Sequence, residues 1–144
     1  MKIYMDNCCF NRPFDDQGSL VVQLETEAKL DIQDRVKQSE LDLCWSFVLD
    51  YENMANPFQE VRNRINEWKK LAYKDCDLND EIKEKASELM KLGLKQMDAS
   101  HIASAIYLEA DCFITTDKKI LNKAISEIDV INPIDFIRSE QDEK

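Results

Sequence analysis

Four acidic side chains stand where this sequence passes from an apolar run into a loop or from a loop into a helix: Asp6, Glu52, Asp98 and Asp117. Carboxylates are hard oxygen donors of the kind Mg²⁺ and Mn²⁺ prefer, and several of them within a few ångströms cannot all stay ionised without a counter-charge. If the four converge, a divalent metal is the simplest counter-charge. One or two such ions activate a water and stabilise the charge on a phosphoryl group during in-line attack, which is the chemistry of a nuclease. Each acid taken alone has a structural explanation. Asp117, after Thr115 and Thr116, suits a helix N-cap. Asp98 falls in the first turn of a helix, where the macrodipole favours an acid whatever its function. Glu52 is one of 29 acidic residues and alone reads as part of a solvated helix face. Asp6 resists such a reading, because a carboxylate that closes a central strand must reach water or be held by a cation or by donors. It is the conjunction that carries the metal reading.

The elements that must position these acids follow from hydrophobic patterning. Residues 1–5 are a short apolar run that stops on Asp6, the pattern of a strand buried on both faces at the centre of a parallel sheet. Asp6 then lies at the strand's carboxyl end, where open α/β sheets place their sites. Asn7 to Pro13 reads as a loop by its Asn and Pro content. From Gln17 to Gln38, Leu20, Val21, Leu24, Ala28, Ile32 and Val36 recur at helical steps, with Glu25, Glu27, Lys29, Asp31 and Asp34 on the other side. Glu40 to Trp45 predicts a strand, and Ser46 a cap for a helix that runs to about Asn53 and carries Glu52. Asn56, Pro57 and Gln59 stop that helix and open another over Glu60 to Tyr73. Further helices are predicted over Glu81 to Leu92, ended by Gly93, and over Gln96 to Ala110, rich in small residues. Cys112 to Thr115 predicts a strand, Lys118 to about Ser126 a helix, Asp129 to Ile131 a last strand, and Pro133 opens a terminal helical turn or two. Strands alternating with helices predict an α/β fold, a three-layer α/β/α sandwich on a central parallel sheet. Right-handed crossovers bring the ends of the strands before Asp6 and Thr116 to one edge.

Composition narrows the function classes. The 144 residues make one domain, read as residues 1–138 with a charged, frayed tail over 139–144. Two glycines and three prolines are too few for a linker or a low-complexity tract. Five cysteines, odd in number and without Cys-x-x-Cys spacing, read as buried hydrophobes in a reducing interior and argue against a zinc site. No apolar run approaches the roughly 18 residues of a spanning helix, so the expected location is cytoplasmic, with no membrane partner. The net charge of −10 repels nucleic acid at long range, although carboxylates around a metal add to that sum while making a site that binds phosphate.

Four blocks of sequence carry a resemblance. K-I-Y-M-D-N, V-L-D-Y-E-N, M-D-A-S-H-I-A-S-A and F-I-T-T-D-K-K-I are similar, in order and spacing over residues 1–137, to the acidic signature blocks of the PIN-domain family. The resemblance implies a parallel sheet between helices and a Mg²⁺- or Mn²⁺-dependent ribonuclease. It also implies the role of toxin in a VapC-like toxin–antitoxin pair, with RNA as substrate, an antitoxin partner and a homodimer. Carried over by position, it makes Asp6, Glu52, Asp98 and Asp117 the catalytic and metal-binding residues and Thr116 a nearby polar partner. Arg12, beside that site, faces either a phosphate or an acid such as Asp15. His101, the chain's only histidine, reads as a packed, hydrogen-bonded core side chain without a catalytic role. Lys118, Lys119 and the group Lys69, Lys70 and Lys74 read as solvated helix faces. A haloacid-dehalogenase-like phosphatase wants a second Asp two residues after the first, where Cys8 stands, and a receiver domain wants paired acids nearer the strand than Asp15 and Asp16. The alternative that stays open is a catalytically silent PIN-like binding or regulatory domain.

Overall fold

The computed structural model describes residues 1–11 and 18–142. Five strands, β1 (Lys2–Met5), β2 (Asp42–Ser46), β3 (Lys74–Cys76), β4 (Cys112–Ile114) and β5 (Asp129–Ile131), form one sheet in the order β3-β2-β1-β4-β5, every pair parallel. The helices are α1 (Asn7–Asn11), α2 (Leu20–Lys37), α3 (Phe47–Met54), α4 (Gln59–Leu71), α5 (Asp80–Met90), α6 (Gln96–Tyr107), α7 (Lys118–Leu121) and α8 (Pro133–Asp142). From β1 the chain steps outward through β2 to β3, then returns across β1 to β4 and β5. Strand order therefore reverses between β1 and β4, and the crevice of the sheet opens at the carboxyl ends of those two strands. Right-handed crossovers in opposite directions send their helices to opposite faces. Helices α2 and α8 pack together on one face and α5 and α6 on the other, as an α/β/α sandwich requires. No helix among the described residues is long and apolar enough to cross a membrane.

Strand β1 is central because its residues tolerate no water: Ile3, Tyr4 and Met5 are fully buried, with Leu43, Cys44 and Trp45 of β2 on one side and Phe113 and Ile114 of β4 on the other. The Tyr4 ring stacks on Phe113 with centroids 5.5 Å apart. Its hydroxyl reaches Ser46 Oγ at 2.6 Å. Ser46 also caps α3, its Oγ accepting from the Val48 N–H at 3.2 Å. One side chain thus both starts the helix that carries Glu52 and satisfies a buried phenol. Ser46→Ala is expected to destabilise by about 1–2 kcal/mol in urea unfolding, the scale of a lost N-cap; a change below a few tenths would show that neither bond matters.

The structure departs from the sequence expectations at several points. Asn7 to Asn11 is helical rather than loop, because the Asp6 carbonyl accepts from the Cys9 N–H at 2.9 Å and Cys9 and Phe10 turn into the core. Strand β3 has no apolar run to announce it; as an edge strand of Lys, Asp and Cys it exists by pairing with β2. Helix α4 stops at Leu71, and the Tyr73 N–H donates to Leu43 at the start of that pairing. Helix α6 ends at Tyr107, with Glu109 at a φ of 61°, and α7 is a single turn rather than a helix to Ser126. Helix α8 continues to Asp142, through four residues of the segment read as a tail, and Glu140 lies 3.7 Å from Arg35.

The largest correction concerns α2. Leu20, Val21 and Leu24 are 69%, 57% and 43% exposed, whereas Glu25 and Lys29, placed on the outer side by periodicity, are buried with Ala28, Ile32 and Val36. The buried stripe is rotated because α2 packs on aromatic side chains of other elements rather than on the sheet alone. Lys29 Nζ lies 4.8 Å from the Trp68 ring centroid and 5.5 Å from that of Phe10, and it donates to the Phe10 carbonyl at 3.3 Å. A long aliphatic stem with a cation over two rings can fill a core position that sequence periodicity assigns to solvent.

Candidate metal centre at the carboxyl edge of the sheet

Asp6 is the first residue beyond β1, and the parallel ladder continues into it: its N–H donates to the Ile114 carbonyl at 2.9 Å. That bond holds the residue against the end of β4, two residues before Thr116 and three before Asp117. The Asp6 side chain is 8% exposed. Its Oδ2 accepts from Thr115 Oγ1 at 2.9 Å, and Thr115 Oγ1 in turn accepts from the Asp117 N–H at 3.1 Å. One hydroxyl therefore ties the ends of two neighbouring strands together. Cys8 Sγ lies 3.5 Å from both Asp6 Oδ2 and Thr115 Oγ1, and the Thr116 N–H points at that sulfur at 3.4 Å.

Glu52 projects from α3 and His101 from α6, and the two side chains are hydrogen-bonded through Oε1 and Nε2. His101 Nε2 is 3.7 Å from Asp6 Oδ1. One ligand atom from each of Asp6, Glu52 and His101 falls within 4.8 Å of the others. The other ring nitrogen of His101, Nδ1, meets the Tyr4 hydroxyl at 2.7 Å. The histidine is fully buried and hydrogen-bonded, as its neighbours in sequence suggest, yet it also reaches the acids.

Asp98 sits in the first turn of α6, half-buried. Burial raises its carboxyl above the ordinary value, the charges of Asp6 and Asp117 raise it further, and His101 opposes them. Those influences place Asp98 within electrostatic reach of the other acids. Asp117 caps α7, its Oδ1 accepting from the Lys119 N–H at 2.9 Å. The structure thus sets all four acids at one edge, but only Asp6 and Glu52 enter the tight group with His101. Thr116 lies between β4 and α7, half-buried; the threonine that links Asp6 to Asp117 is its neighbour Thr115, which nothing in the T-T-D motif distinguishes. Arg12, and with it Asp15 and Asp16, lies outside the described residues.

The donor set fits a divalent ion. Asp6 Oδ1 and the Asp98 carboxylate accept no hydrogen bond from the described residues, which leaves their lone pairs open to a ligand. Carboxylates crowded at one edge repel one another unless a cation compensates them. The ligand atoms close enough to share one ion, among the described residues, are those of Asp6, Glu52 and His101; an ion there would supply a counter-charge and an activated water. In chelator, Asp6→Asn should melt at or slightly above the wild-type temperature, because it relieves like-charge crowding while an amide oxygen can still accept from Thr115. A purely structural Asp6 would instead cost about 1–3 kcal/mol, and a drop of several degrees would mark it as one.

No protein-family model matches the chain, and no curated protein matches it by sequence. Solved structures do resemble it. FitAcB from Neisseria gonorrhoeae superposes with a TM-score of 0.58 at 13% identity, covering 91% of this chain and 97% of that one. VapBC2 from Rickettsia felis, bound to a DNA fragment from the promoter, gives 0.58 at 12% identity over 92% and 98% of the two chains. VapBC-1 from nontypeable Haemophilus influenzae gives 0.59 at 17% identity, again over 92% and 98%. At these identities the likeness is one of fold alone, an α/β/α sandwich of PIN-like form.

Proposed function

We propose that this PIN-like chain is a metal-dependent endoribonuclease, acting as the toxin of a toxin–antitoxin pair, with Asp6, Glu52, Asp98 and Asp117 as its catalytic and metal-binding residues. The observation that carries the reading is the Asp6 carboxylate, within 4.8 Å of ligand atoms of Glu52 and His101, at the point where strand order reverses. Mg²⁺ or Mn²⁺ at that edge would supply the Lewis acidity and activated water that phosphodiester hydrolysis needs. The chain's own residues do the rest. Thr115 holds Asp6 and the backbone of Asp117 in register, so the two carboxylates cannot drift apart. Ser46 fixes the first turn of α3 and thereby the direction of Glu52. Thr116, Arg12 and the exposed Lys118 and Lys119 at the start of α7 are the polar groups proposed to meet the RNA backbone.

A protein partner is supported separately. The fold matches are to toxin–antitoxin structures. The chain also leaves large apolar side chains open, Leu20, Val21 and Leu24 on α2 and Tyr51, Met54 and Phe58 around the end of α3. Such patches mark surfaces that another chain covers, and we assign them to an antitoxin or to a second copy of this chain. The test of the reading is cleavage of labelled single-stranded RNA by the purified chain with and without divalent metal. A chain that binds RNA or a protein partner yet cuts nothing at any metal concentration would be the silent PIN-like domain instead.

A further inference from the structure

We propose that His101 is a nitrogen ligand of the metal centre, so that the ion is held by Asp6, Glu52 and His101, and the centre prefers first-row transition ions to Mg²⁺. The inference rests on the metal reading above, not on RNA as the substrate. His101 is the only histidine in the chain and is fully buried, so its ring is aimed by packing rather than by chance at a surface. The aim comes from Tyr4. The phenol meets Nδ1 at 2.7 Å and Ser46 Oγ at 2.6 Å, while the two rings pack edge-on with centroids 5.7 Å apart. With Nδ1 so engaged, Nε2 is left facing Glu52 Oε1 and Asp6 Oδ1. A histidine that ligates metal almost always binds a partner through its second ring nitrogen, which fixes tautomer and orientation together.

A structural account of the same geometry has Nε2–H simply donating to Glu52, with any ion held by carboxylates alone. That account satisfies Glu52 and leaves Asp6 Oδ1, 3.7 Å from Nε2, outside hydrogen-bond distance of the ring. A proton can serve one of the two acids at a time. A cation among the three atoms, which lie within 4.8 Å of one another, serves all of them. The hydrogen-bond chain permits it: Nδ1–H can donate to the Tyr4 hydroxyl and the Tyr4 hydroxyl to Ser46 Oγ, leaving Nε2 bare for the ion. Imidazole is a poor ligand for Mg²⁺ and a good one for first-row transition ions, so one nitrogen beside two carboxylates shifts the preference.

The test uses Mn²⁺ bound to the full chain after removal of any histidine tag, read by pulsed electron paramagnetic resonance. Because there is one histidine, a chain grown with ¹⁵N-histidine assigns any imidazole coupling to His101 without a mutation. The expected result is ¹⁴N modulation from a directly bound imidazole in the unlabelled chain and its replacement by the ¹⁵N pattern in the labelled one. His101→Gln, checked for folding by circular dichroism, should then weaken Mn²⁺ binding at least tenfold and Mg²⁺ binding less. Bound Mn²⁺ with no histidine nitrogen coupling would overturn the proposal and leave His101 as a positioning residue for Glu52. Failure to bind Mn²⁺ at all would overturn both this inference and the metal reading beneath it. Nitrogen coupling in a chain that cuts no RNA would uphold the ligand and remove only the substrate.

Discussion

Single-stranded RNA will be cut by the purified chain only with Mg²⁺ or Mn²⁺, and Asp6→Asn, Asp98→Asn and Asp117→Asn will each lower the rate by about 10²- to 10³-fold. The expectation comes from how charge must be handled at the edge of the sheet. In-line attack on a phosphodiester gathers negative charge on the phosphoryl oxygens, and only a cation held in place beforehand offsets it without a reorganisation cost. On the proposed reading each Asp would either hold that cation or orient the attacking water, and an amide does neither well. Asp6 is the least replaceable of the three, since it is buried and tied to β4 through its own N–H and through Thr115. Glu52→Gln should retain the most activity. The side chain is 27% exposed, comes from a helix rather than a strand end, and as Gln keeps an oxygen that can still face the ion. With a net charge of −10, the proposed RNA substrate would be held through the metal and a few local cations. Cleavage should therefore fall less steeply with added salt than for a basic nuclease, whose binding is driven by many phosphate contacts. Activity that survives chelator, or that persists in Asp98→Asn, would belong to a contaminant or another site.

The second large effect is on stability. Lys29 is 2% exposed, and burial lowers its ammonium from 10.5 to about 8. Its only hydrogen bond among the described residues is the one to the Phe10 carbonyl. Between pH 8 and 10.5 the unfolded chain keeps a proton on this lysine that the folded chain has lost, so the lysine's contribution to stability rises with pH across that window. A fall from 10.5 to about 8 amounts to about 3 kcal/mol. Relative to Lys29→Met, a swap of similar volume, the wild type should therefore gain about 2–3 kcal/mol between pH 7 and pH 10 in chemical denaturation. The comparison between variants is needed because other groups pull the opposite way. Cys44 and Cys76 are pushed up from 9.0 to about 11, mainly by burial, so the folded chain keeps thiol protons that the unfolded chain gives up, and stability falls across that interval. Both variants share that loss, and it cancels in the difference. A difference that stays flat with pH would mean that water or a counter-charge reaches Lys29.

Much of the architecture is carried by local sequence. A short apolar run ending on Asp6 reads best as a buried central strand, which β1 is, and Cys112 to Ile114 is its counterpart across the reversal of strand order. Ser46, Asn79 and Asp117 each cap the helix that follows, through bonds to the N–H groups of Val48, Ile82 and Lys119. Gly93, at a φ of +96°, ends the segment after α5 where a side chain would be strained. These features depend on a few neighbouring residues, so they can be read without knowing the fold. The order of the acids along the chain, together with parallel crossovers, also points to one edge.

What the chain could not disclose by itself depends on residues far apart in sequence. Strand β3 is charged and acquires its structure from β2. Helix α2 turns Lys29 inward because Phe10 and Trp68 meet there, a pairing of α1 with α4 that periodicity within α2 cannot register. Thr115 rather than Thr116 joins the acids, through bonds to Asp6 Oδ2 and from the Asp117 N–H that form only where the ends of β1 and β4 meet. His101 reads as core from its small neighbours, and it is core; which of its nitrogens meets the acids is decided by Tyr4, 97 residues away in sequence. A hydrogen bond of that separation exists only once the sheet and α6 have packed, so the chemistry of the ring is a property of the tertiary structure.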